Sequence, residues 1–338
     1  MESRNAVRLA QPVSVIGLGT WQLGADWGTV SEDDARAILQ ASVDAGVTVF
    51  DTADVYGDGR SETLIGGFAH QQTGGNGNSG GGQHDDVTVF TKMGRRADQT
   101  LANYSADHFR EWNDRSRANL GVDTLDLVQL HCPPDDVFAN DAVFDVLDGF
   151  VAEGRIARYG VSVETCAQAL VAIARPHVAS VQIILNAFRM KPLDEVLPAA
   201  DAAGVAIIAR VPLASGLLTG RYGHDTTFGA DDHRTYNRDG SAFDVGETFA
   251  GVPFDVGVDA AQRFAGIARE LGVEPAALAL RWIIDQTGVT TVIPGASSVK
   301  QAQANAAAAS LAPLDDATIA AIRALYDDTI RPLVHDRW

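Results

Sequence analysis

The sequence has few lysines and few cysteines, and it has no long apolar run. Only three of its 338 residues are lysine and two are cysteine. Acidic residues outnumber lysine and arginine by 44 to 26, which gives a formal net charge of -18. A surface of that sign repels nucleic-acid phosphates and anionic lipid headgroups. We therefore expect neither nucleic acid nor a membrane as partner, and the scarcity of lysine fits either a compositional bias or adaptation to high salt.

The cysteine content and the N-terminal sequence indicate the compartment. Cys132 and Cys166 allow at most one disulfide and lack the spacing of a metal-binding pair. Residues 1–17 lack the apolar stretch of a signal peptide, and no window reaches the roughly 18 apolar residues of a membrane span. We expect reduced thiols, no bound metal and a cytoplasmic location, and the sequence leaves the oligomeric state open.

Short β-rich runs alternate with amphipathic helical patterns along the whole chain. The runs cover residues 13–17, 47–51, 87–91, 125–131, 157–163, 178–185, 205–211 and 289–295. Eight strand-then-helix units in succession are typical of a closed parallel barrel. The sequence therefore predicts an α/β protein with a (β/α)8 TIM barrel as a single domain over residues 1–338.

Two segments depart from this alternation. Residues 72–86 are rich in glycine and asparagine and join a helix to a strand, which predicts a flexible surface loop on the N-terminal face of the barrel. Residues 212–257 follow the seventh strand and so lie on the C-terminal face. A connection of this length is usually functional or disordered, and we expect a cofactor and substrate loop whose polar part, residues 223–249, closes over bound cofactor.

Four ionisable side chains lie at one edge of the predicted barrel. Asp51, Lys92 and His131 end the second, third and fourth strands, and Tyr56 lies in the loop after the second. The active site of a parallel barrel is built from these strand ends. An ammonium beside a phenol favours its ionised form, so Lys92, held by Asp51, would make Tyr56 a general acid. Such an acid suits carbonyl reduction, with the hydride supplied by a cofactor.

The motifs at the strand ends resemble those of the aldo-keto reductase family. They are GLGTWQLG after the first strand, DTADVYG after the second, FTKMG at the third, LVQLHCPP at the fourth, GVSVE at the fifth, PLASGLLTG after the seventh and VIPGASSVKQAQAN at the eighth. The resemblance runs from about Val13 to the end of the chain. It implies a catalytic tetrad of Asp51, Tyr56, Lys92 and His131. It also implies an NADP(H) cofactor, with NAD(H) possible, bound without a Rossmann domain.

The resemblance further implies where the cofactor and the substrate bind. Trp21 would line the substrate pocket, and the cofactor would contact residues spread over the C-terminal face. These residues are Gly19, Thr20 and Asp51 at the first two strands, Ser162 and Gln182 at the carboxamide, Arg210, Pro212, Leu213 and Ser215 at the seventh strand and the pyrophosphate, and Gly295, Ala296, Ser297, Lys300, Gln301 and Asn305 at the adenosine phosphate. A phosphate at the turn that opens the last of these helices also has a physical basis in free backbone N–H groups.

The chain departs from the family pattern at several cofactor positions. Arg210 replaces the aromatic residue that often stacks on the nicotinamide, and Val163 and Ala304 replace an asparagine and an acidic residue. Neutral Ser297 stands where a basic residue usually meets the 2'-phosphate, which leaves Lys300 as the only cation in residues 292–305. We therefore expect a modest preference for NADPH.

The sequence is compatible with three functions. The first is NAD(P)H-dependent reduction of aldehydes or ketones to alcohols. The second is the same site run in the oxidative direction, as a sugar or polyol dehydrogenase, because the tetrad serves both directions. The third is a cofactor-binding regulatory subunit, as in the family's potassium-channel partners.

Overall fold

The computed structural model describes residues 1–9, 11–24, 30–72 and 87–338. Ten strands lie in these ranges, eight of them in one parallel sheet. They are β1 (Ser3–Arg4), β2 (Val13–Ser14), β3 (Leu18–Gly19), β4 (Val49–Asp51), β5 (Thr88–Met93), β6 (Leu127–His131), β7 (Tyr159–Ser162), β8 (Val178–Ile184), β9 (Ala206–Arg210) and β10 (Val289–Val292).

The α-helices of the described ranges alternate with the strands, and most of them pack outside the sheet, while the helix His233–Tyr236 lies in the long segment after β9. They are α1 (Glu32–Asp44), α2 (Arg60–Gln72), α3 (Ala106–Leu120), α4 (Asp135–Phe138), α5 (Asp141–Ala152), α6 (Cys166–Ile173), α7 (Val196–Ala203), α8 (His233–Tyr236), α9 (Phe254–Glu270), α10 (Pro275–Ile284), α11 (Val299–Ala307), α12 (Asp316–Leu325) and α13 (Arg331–Val334). None of these helices is both long and apolar enough to cross a membrane.

The eight parallel strands form a closed barrel. Strands β3 to β10 pair in sequence order. Isolated bridges between Ile16 and Val292 and between Gly19 and Gly295 then join the first strand to the last. This is the (β/α)8 architecture that the alternation predicts.

The first predicted strand, residues 13–17, belongs only in part to the barrel wall, which it joins where Ile16 bridges Val292. Val13 and Ser14 pair antiparallel with Arg4 and Ser3, and the barrel strand is Leu18–Gly19. Val13 is buried with the apolar side chains of the barrel interior. The run is β-rich because it forms a hairpin and buries apolar residues, two demands that local composition cannot distinguish from those of a barrel strand.

Strand alternation determines which side chains enter the barrel. Successive residues of a strand point to opposite faces. Val49, Phe90, Leu127 and Ile208 belong to one apolar cluster inside the barrel. Residues two positions further along the same strands must then also point inward, at the C-terminal end. Those residues are Asp51, Lys92, Gln129 and Arg210, with His131 one further step along β6.

The two irregular segments differ in what the structure describes. Residues 73–86 of the predicted glycine-rich loop lie outside the described residues, and Gln72 is the last residue of α2. The long segment after β9 runs from Val211 to Pro253, because α9 begins at Phe254. The predicted boundary at residue 257 therefore lies inside that helix.

Candidate active site

Asp51 and Lys92 form a buried ion pair on the barrel axis. The Lys92 ammonium lies 2.5 Å from Asp51 Oδ1 and also donates to the Thr52 carbonyl oxygen at 2.8 Å. The other carboxylate oxygen of Asp51 accepts from Gln182 Nε2 at 2.7 Å and, more weakly, from Gln129 Nε2 at 3.4 Å. Burial alone would lower the pKa of Lys92, but Asp51 and Tyr56 together raise it. Lys92 therefore remains an ammonium.

Tyr56 lies on the turn after β4, above the ammonium. The Lys92 Nζ is 5.2 Å from the centre of the phenol ring. Gly57 makes this turn possible, since it has a φ of 59° and a Cβ there would collide with the carbonyl group of Gly24. Only glycine adopts such a conformation readily.

The cause that sets the protonation state of Tyr56 in the structure differs from the cause expected from the sequence. Burial raises the pKa of Tyr56, and the opposing effect of Lys92 is smaller. The phenol is therefore neutral near pH 7 and carries the proton that a general acid must donate. Lys92 offsets part of the cost of the phenolate that forms when that proton leaves.

His131 completes the group at the end of β6. Its ring lies edge-on to that of Tyr56, with centroids 6.0 Å apart. Burial lowers the pKa of His131 well below its usual value, and Arg95, Lys92 and Arg210 lower it further. A neutral imidazole can donate one N–H to a substrate oxygen without competing as an acid. Its Nδ1 has no hydrogen-bond partner among the described residues.

Aromatic side chains wall the space beside Tyr56. The Trp21 ring stacks near Tyr56 with centroids 6.1 Å apart, and it also meets His233 at 5.6 Å and Phe243 at 6.1 Å. His233 and Phe243 belong to the long segment after β9. Trp21 therefore lies where the sequence predicts a substrate pocket, and the long segment supplies the facing wall.

The long segment contains residues with strained backbone angles at the predicted pyrophosphate position. Val211, Ala214 and Ser215 have φ values of 52°, 47° and 54°, and Phe249 has 54°. Non-glycine residues rarely adopt this region, and such strain is often found at functional sites. The Ser215 hydroxyl donates to the Glu247 carbonyl oxygen at 3.0 Å and accepts from Phe249 N at 3.1 Å. Leu213 and Pro212 lie within the same turn.

Of the two predicted carboxamide positions, Gln182 contacts the ion pair through Asp51. Ser162 and Gln182 are paired neighbours on β7 and β8, and both are buried. The Ser162 hydroxyl is 3.4 Å from Cys132 Sγ. Both side chains carry a donor and an acceptor, which suits the binding of an amide, and Gln182 is the one bonded to Asp51. Arg210 ends β9 on the same face, where an aromatic residue would be expected from the family pattern.

The predicted adenosine-phosphate positions form the start of α11. Ser298 caps this helix by accepting from Gln301 N at 3.3 Å. The side-chain oxygen of Gln301 accepts from the backbone N and the hydroxyl of Ser297, at 2.8 and 2.9 Å. These two donors converge on a single acceptor, so the turn suits a phosphate oxygen. Lys300 is exposed on the next turn of chain.

The residues at other predicted cofactor positions are buried or half-buried beneath this turn and hold it in place. Asn305 donates to the Gly295 carbonyl oxygen at 3.1 Å, and Ala296 is buried. Gly19 pairs with Gly295, and a Cβ at Gly19 would lie 2.9 Å from the Ile293 carbonyl oxygen.

Thr20 is fully buried and its hydroxyl donates to the Asp51 carbonyl oxygen at 2.8 Å. The structure thus gives Thr20 a direct role in holding the strand end that carries Asp51. A contact between Thr20 and the cofactor remains a prediction.

Three candidate metal ligands lie close together beside the tetrad. One ligand atom from each of Cys132, Glu164 and Glu247 falls within 4.8 Å of the others. Arg210 already contacts both carboxylates, at 2.9 and 3.3 Å. Burial raises the pKa of the Cys132 thiol to about 12, whereas a metal binds the thiolate. This chemistry does not favour a metal, and its absence from the working protein remains a prediction.

Asp54 is a second buried carboxylate beside the tetrad. Its side chain is fully buried, and neither oxygen has a hydrogen-bond partner among the described residues. Burial, helped by the Glu62 carboxylate, raises the pKa of Asp54 to about 7, while Arg96 and Arg115 oppose the shift. Asp54 therefore gains charge near neutral pH.

Replacing Asp54 by asparagine should remove a pH dependence of stability. The Asp54 carboxyl has a pKa of about 7 in the folded protein and about 4 in the unfolded chain. Its contribution to the free energy of unfolding is therefore complete only below about pH 4, and it is lost as the pH rises from about 4 to about 7. At about 1.4 kcal/mol per pKa unit, the loss is on the order of 4 kcal/mol. In urea unfolding, the free energy of unfolding of Asp54→Asn should rise relative to that of wild type between about pH 4 and about pH 8.

Asp58→Asn is the matched control for this prediction. Asp58 is exposed and bonded to Arg96 and Arg115, which lower its pKa. The free energy of unfolding of Asp58→Asn should not rise relative to that of wild type at the higher pH. An unchanged stability difference between Asp54→Asn and wild type across this range would contradict the assignment.

Sequence reasoning placed Asp51, Tyr56, Lys92 and His131 together, as the structure does, and missed several of their neighbours, while the catalytic roles of the four remain predictions. The missed residues are Arg95, Gln129, Glu164, His233, Phe243 and Glu247. Strand alternation could have found Gln129, which lies two positions before His131 on β6. The position of Arg95 just after the strand end of Lys92 was also a usable signal. Nothing in the local sequence indicates that His233, Phe243 and Glu247 return to the barrel mouth.

Comparison with known proteins identifies the family of this chain. A profile of the aldo/keto reductase family matches residues 15–327. An uncharacterized oxidoreductase of Mycobacterium tuberculosis is 31% identical over 306 residues, which cover 88% of this chain and 85% of that protein. The aldo-keto reductase yakc [NADP(+)] of Schizosaccharomyces pombe is 26% identical over 323 residues, covering 94% and 89% of the two chains.

A solved structure shows the same fold. The glycerol dehydrogenase of Gluconobacter oxydans superimposes with a TM-score of 0.76 at 27% identity, over 98% of this chain and 96% of that one. The matches span nearly the whole chain, as the barrel requires. The chain therefore belongs to the aldo/keto reductase family and is an oxidoreductase that reduces carbonyl groups with NAD(P)H.

Proposed function

We propose that this protein is an NADPH-dependent reductase of aldehydes or ketones in which Tyr56 is the general acid. The observation that carries the proposal is the juxtaposition of a buried Asp51–Lys92 ion pair, a neutral Tyr56 and a neutral His131 beside an aromatic wall. A bound nicotinamide would supply the hydride, which no side chain can supply.

The chain's own residues divide the remaining work. The Tyr56 hydroxyl donates its proton to the carbonyl oxygen, while the neutral His131 orients that oxygen by a hydrogen bond. Lys92 stabilises the phenolate left behind, and Asp51 fixes the ammonium through Oδ1 while Gln182 holds Oδ2. Trp21 and Phe243 exclude water from the pocket. The long segment, with Ser215 bonded to residues 247 and 249, would close over the cofactor.

A spectrophotometric assay tests the proposal and separates the alternatives. NADPH consumption with a panel of aldehydes and ketones should exceed the rate without carbonyl. Oxidation of polyols by NADP+ with little reduction of any carbonyl would favour the dehydrogenase. The dehydrogenase alternative is supported by the similarity of this chain to a glycerol dehydrogenase. Cofactor binding without turnover in either direction would favour a regulatory subunit.

The preference for NADPH over NADH rests on one exposed lysine. Ser297 and Gln301 are neutral, and Lys300 is the only cation of residues 292–305. The yakc relative carries NADP(+) in its name, which supports the same choice here. An ammonium in the first turn of α11 can meet a 2'-phosphate as a point charge.

Lys300→Ala should reduce the preference for NADPH and leave NADH binding unchanged. The wild-type preference should be about 1–2 kcal/mol, the scale of a charge-assisted contact. Dissociation constants of both cofactors decide the matter, with Lys191→Ala as the lysine control away from α11. Loss of affinity for both cofactors alike, or for neither, would remove the argument.

A further inference from the structure

Four charged side chains meet at the mouth of the barrel and take no part in the proton transfer. Arg95, Glu164, Arg210 and Glu247, here called the rim cluster, form ion pairs between 2.9 and 3.7 Å. Arg210 and Glu247 are buried the most, with side chains 9% and 12% exposed. Arg95 lowers and Glu247 raises the pKa of Tyr56. The rim cluster therefore lies within electrostatic reach of the general acid.

The two glutamates of the rim cluster are held unequally. Glu164 follows β7, and its Oε2 accepts a 2.9 Å hydrogen bond from Arg210 Nη2. Glu247 comes from the long segment and approaches Arg210 only at 3.3 Å and Arg95 only at 3.7 Å. Charge-assisted N–H···O bonds are typically about 2.7–2.9 Å, so Glu247 is the loosely held partner. Burial and the neighbouring Glu164 carboxylate raise the pKa of the Glu247 carboxyl, and Arg210 and Arg95 oppose that shift only in part.

Arg210 retains an unused donor in this cluster. The residue is 7% exposed, and its Nε is buried without a hydrogen-bond partner among the described residues. A buried donor without an acceptor costs free energy. Glu247 contacts Arg210 only through Nη1, at 3.3 Å, and therefore leaves the guanidinium incompletely satisfied.

We propose that Arg95 recognises a carboxylate on the substrate, and that the Glu247 carboxylate occupies this position until the substrate displaces it, while Arg210, at the predicted nicotinamide position, holds Glu164. The proposal rests on carbonyl reduction at Tyr56 and narrows its substrates to aldehydes or ketones that carry a carboxylate. The planar fork of a guanidinium matches a carboxylate in shape. The chain's own carboxylate between the two arginines is the observed occupant of that class.

Charge balance favours an anionic substrate over a neutral one. When both glutamates are ionised, their charges cancel those of the two arginines while Glu247 is in place. Withdrawal of Glu247 leaves one positive charge in a buried site. A substrate carboxylate restores the balance, whereas a neutral substrate leaves the charge uncompensated, and a buried uncompensated charge is costly.

The test compares an ω-oxo carboxylic acid with its primary amide of the same chain length, at constant ionic strength. Wild type should reduce the acid with a kcat/KM at least about tenfold higher, as one charge-assisted hydrogen bond suggests. Arg95→Met should bring this ratio close to one, and Arg95→Lys should retain part of it. Glu247→Gln should lower KM for the acid more than for the amide. Arg110→Met, which breaks a surface pair with Glu153, should leave the ratio unchanged.

The outcomes separate this inference from the proposed function. A wild-type ratio near or below one overturns carboxylate recognition, and so does an Arg95→Met variant that slows both substrates equally. The wild-type ratio decides the question even if the variants do not fold. Failure to oxidise NADPH with either compound, or with any other carbonyl, would instead contradict the proposed reductase.

Discussion

Tyr56→Phe should lower kcat for carbonyl reduction by about 10²–10⁴-fold, the usual contribution of a positioned general acid. The substitution removes one oxygen atom and leaves the ring that packs near Trp21 and His131. The dissociation constant for NADPH should therefore stay close to that of wild type. Single-turnover kinetics and a cofactor titration measure the two quantities separately.

Tyr326→Phe is the matched control for the loss of a buried hydroxyl. Tyr326 is fully buried and its hydroxyl lies 2.8 Å from His335 Nδ1, among the C-terminal helices. This variant should keep wild-type turnover. A Tyr56→Phe enzyme that also kept it would show that the proton comes from another group.

Lys92→Met should destabilise the fold as well as abolish most of the activity. The ammonium is 1% exposed and is the cationic partner of Asp51, which is 4% exposed. Removal of one partner of a buried pair leaves an uncompensated charge and costs about 3–5 kcal/mol. Turnover should fall because the Tyr56 phenolate loses its neighbouring cation. Urea unfolding and single-turnover kinetics measure the two losses.

The double variant Lys92→Met with Asp51→Asn separates the two effects. An amide at position 51 removes the buried charge and keeps a polar partner for Gln182. Stability should recover most of the loss, whereas turnover should not recover. Recovery of turnover would show that the ion pair serves only the fold, and no recovery of stability would show that the two charges are not coupled.

The barrel and the tetrad were predictable because two simple rules apply to them. Alternation of β-rich and helical patterns predicts the sheet, and parallel strands place their C-terminal ends at one edge. Asp51, Lys92 and His131 follow from that edge alone. The first strand was predicted only in part, because Val13 and Ser14 pair with Arg4 and Ser3 outside the barrel wall while Ile16 bridges Val292 within it.

The rim cluster and the protonation state of Tyr56 could not be predicted from the sequence, for a different reason. The path of the long segment, which brings Glu247 to Arg210, depends on tertiary contacts that no local pattern encodes. The pKa of Tyr56 depends on how burial compares with the effect of Lys92, and sequence supplies only the sign of the second. The structure shows that burial is the larger.

The central claim is that this chain transfers a hydride from a nicotinamide to a carbonyl carbon while Tyr56 protonates the oxygen. NADPH deuterated at the transferring position of the ring tests it directly, with mass spectrometry of the alcohol formed from a carbonyl substrate. We predict one deuterium on the carbinol carbon, retained in ordinary water, and little labelled alcohol from Tyr56→Phe in the same time. Alcohol without deuterium, or consumption of NADPH without alcohol, would contradict the account.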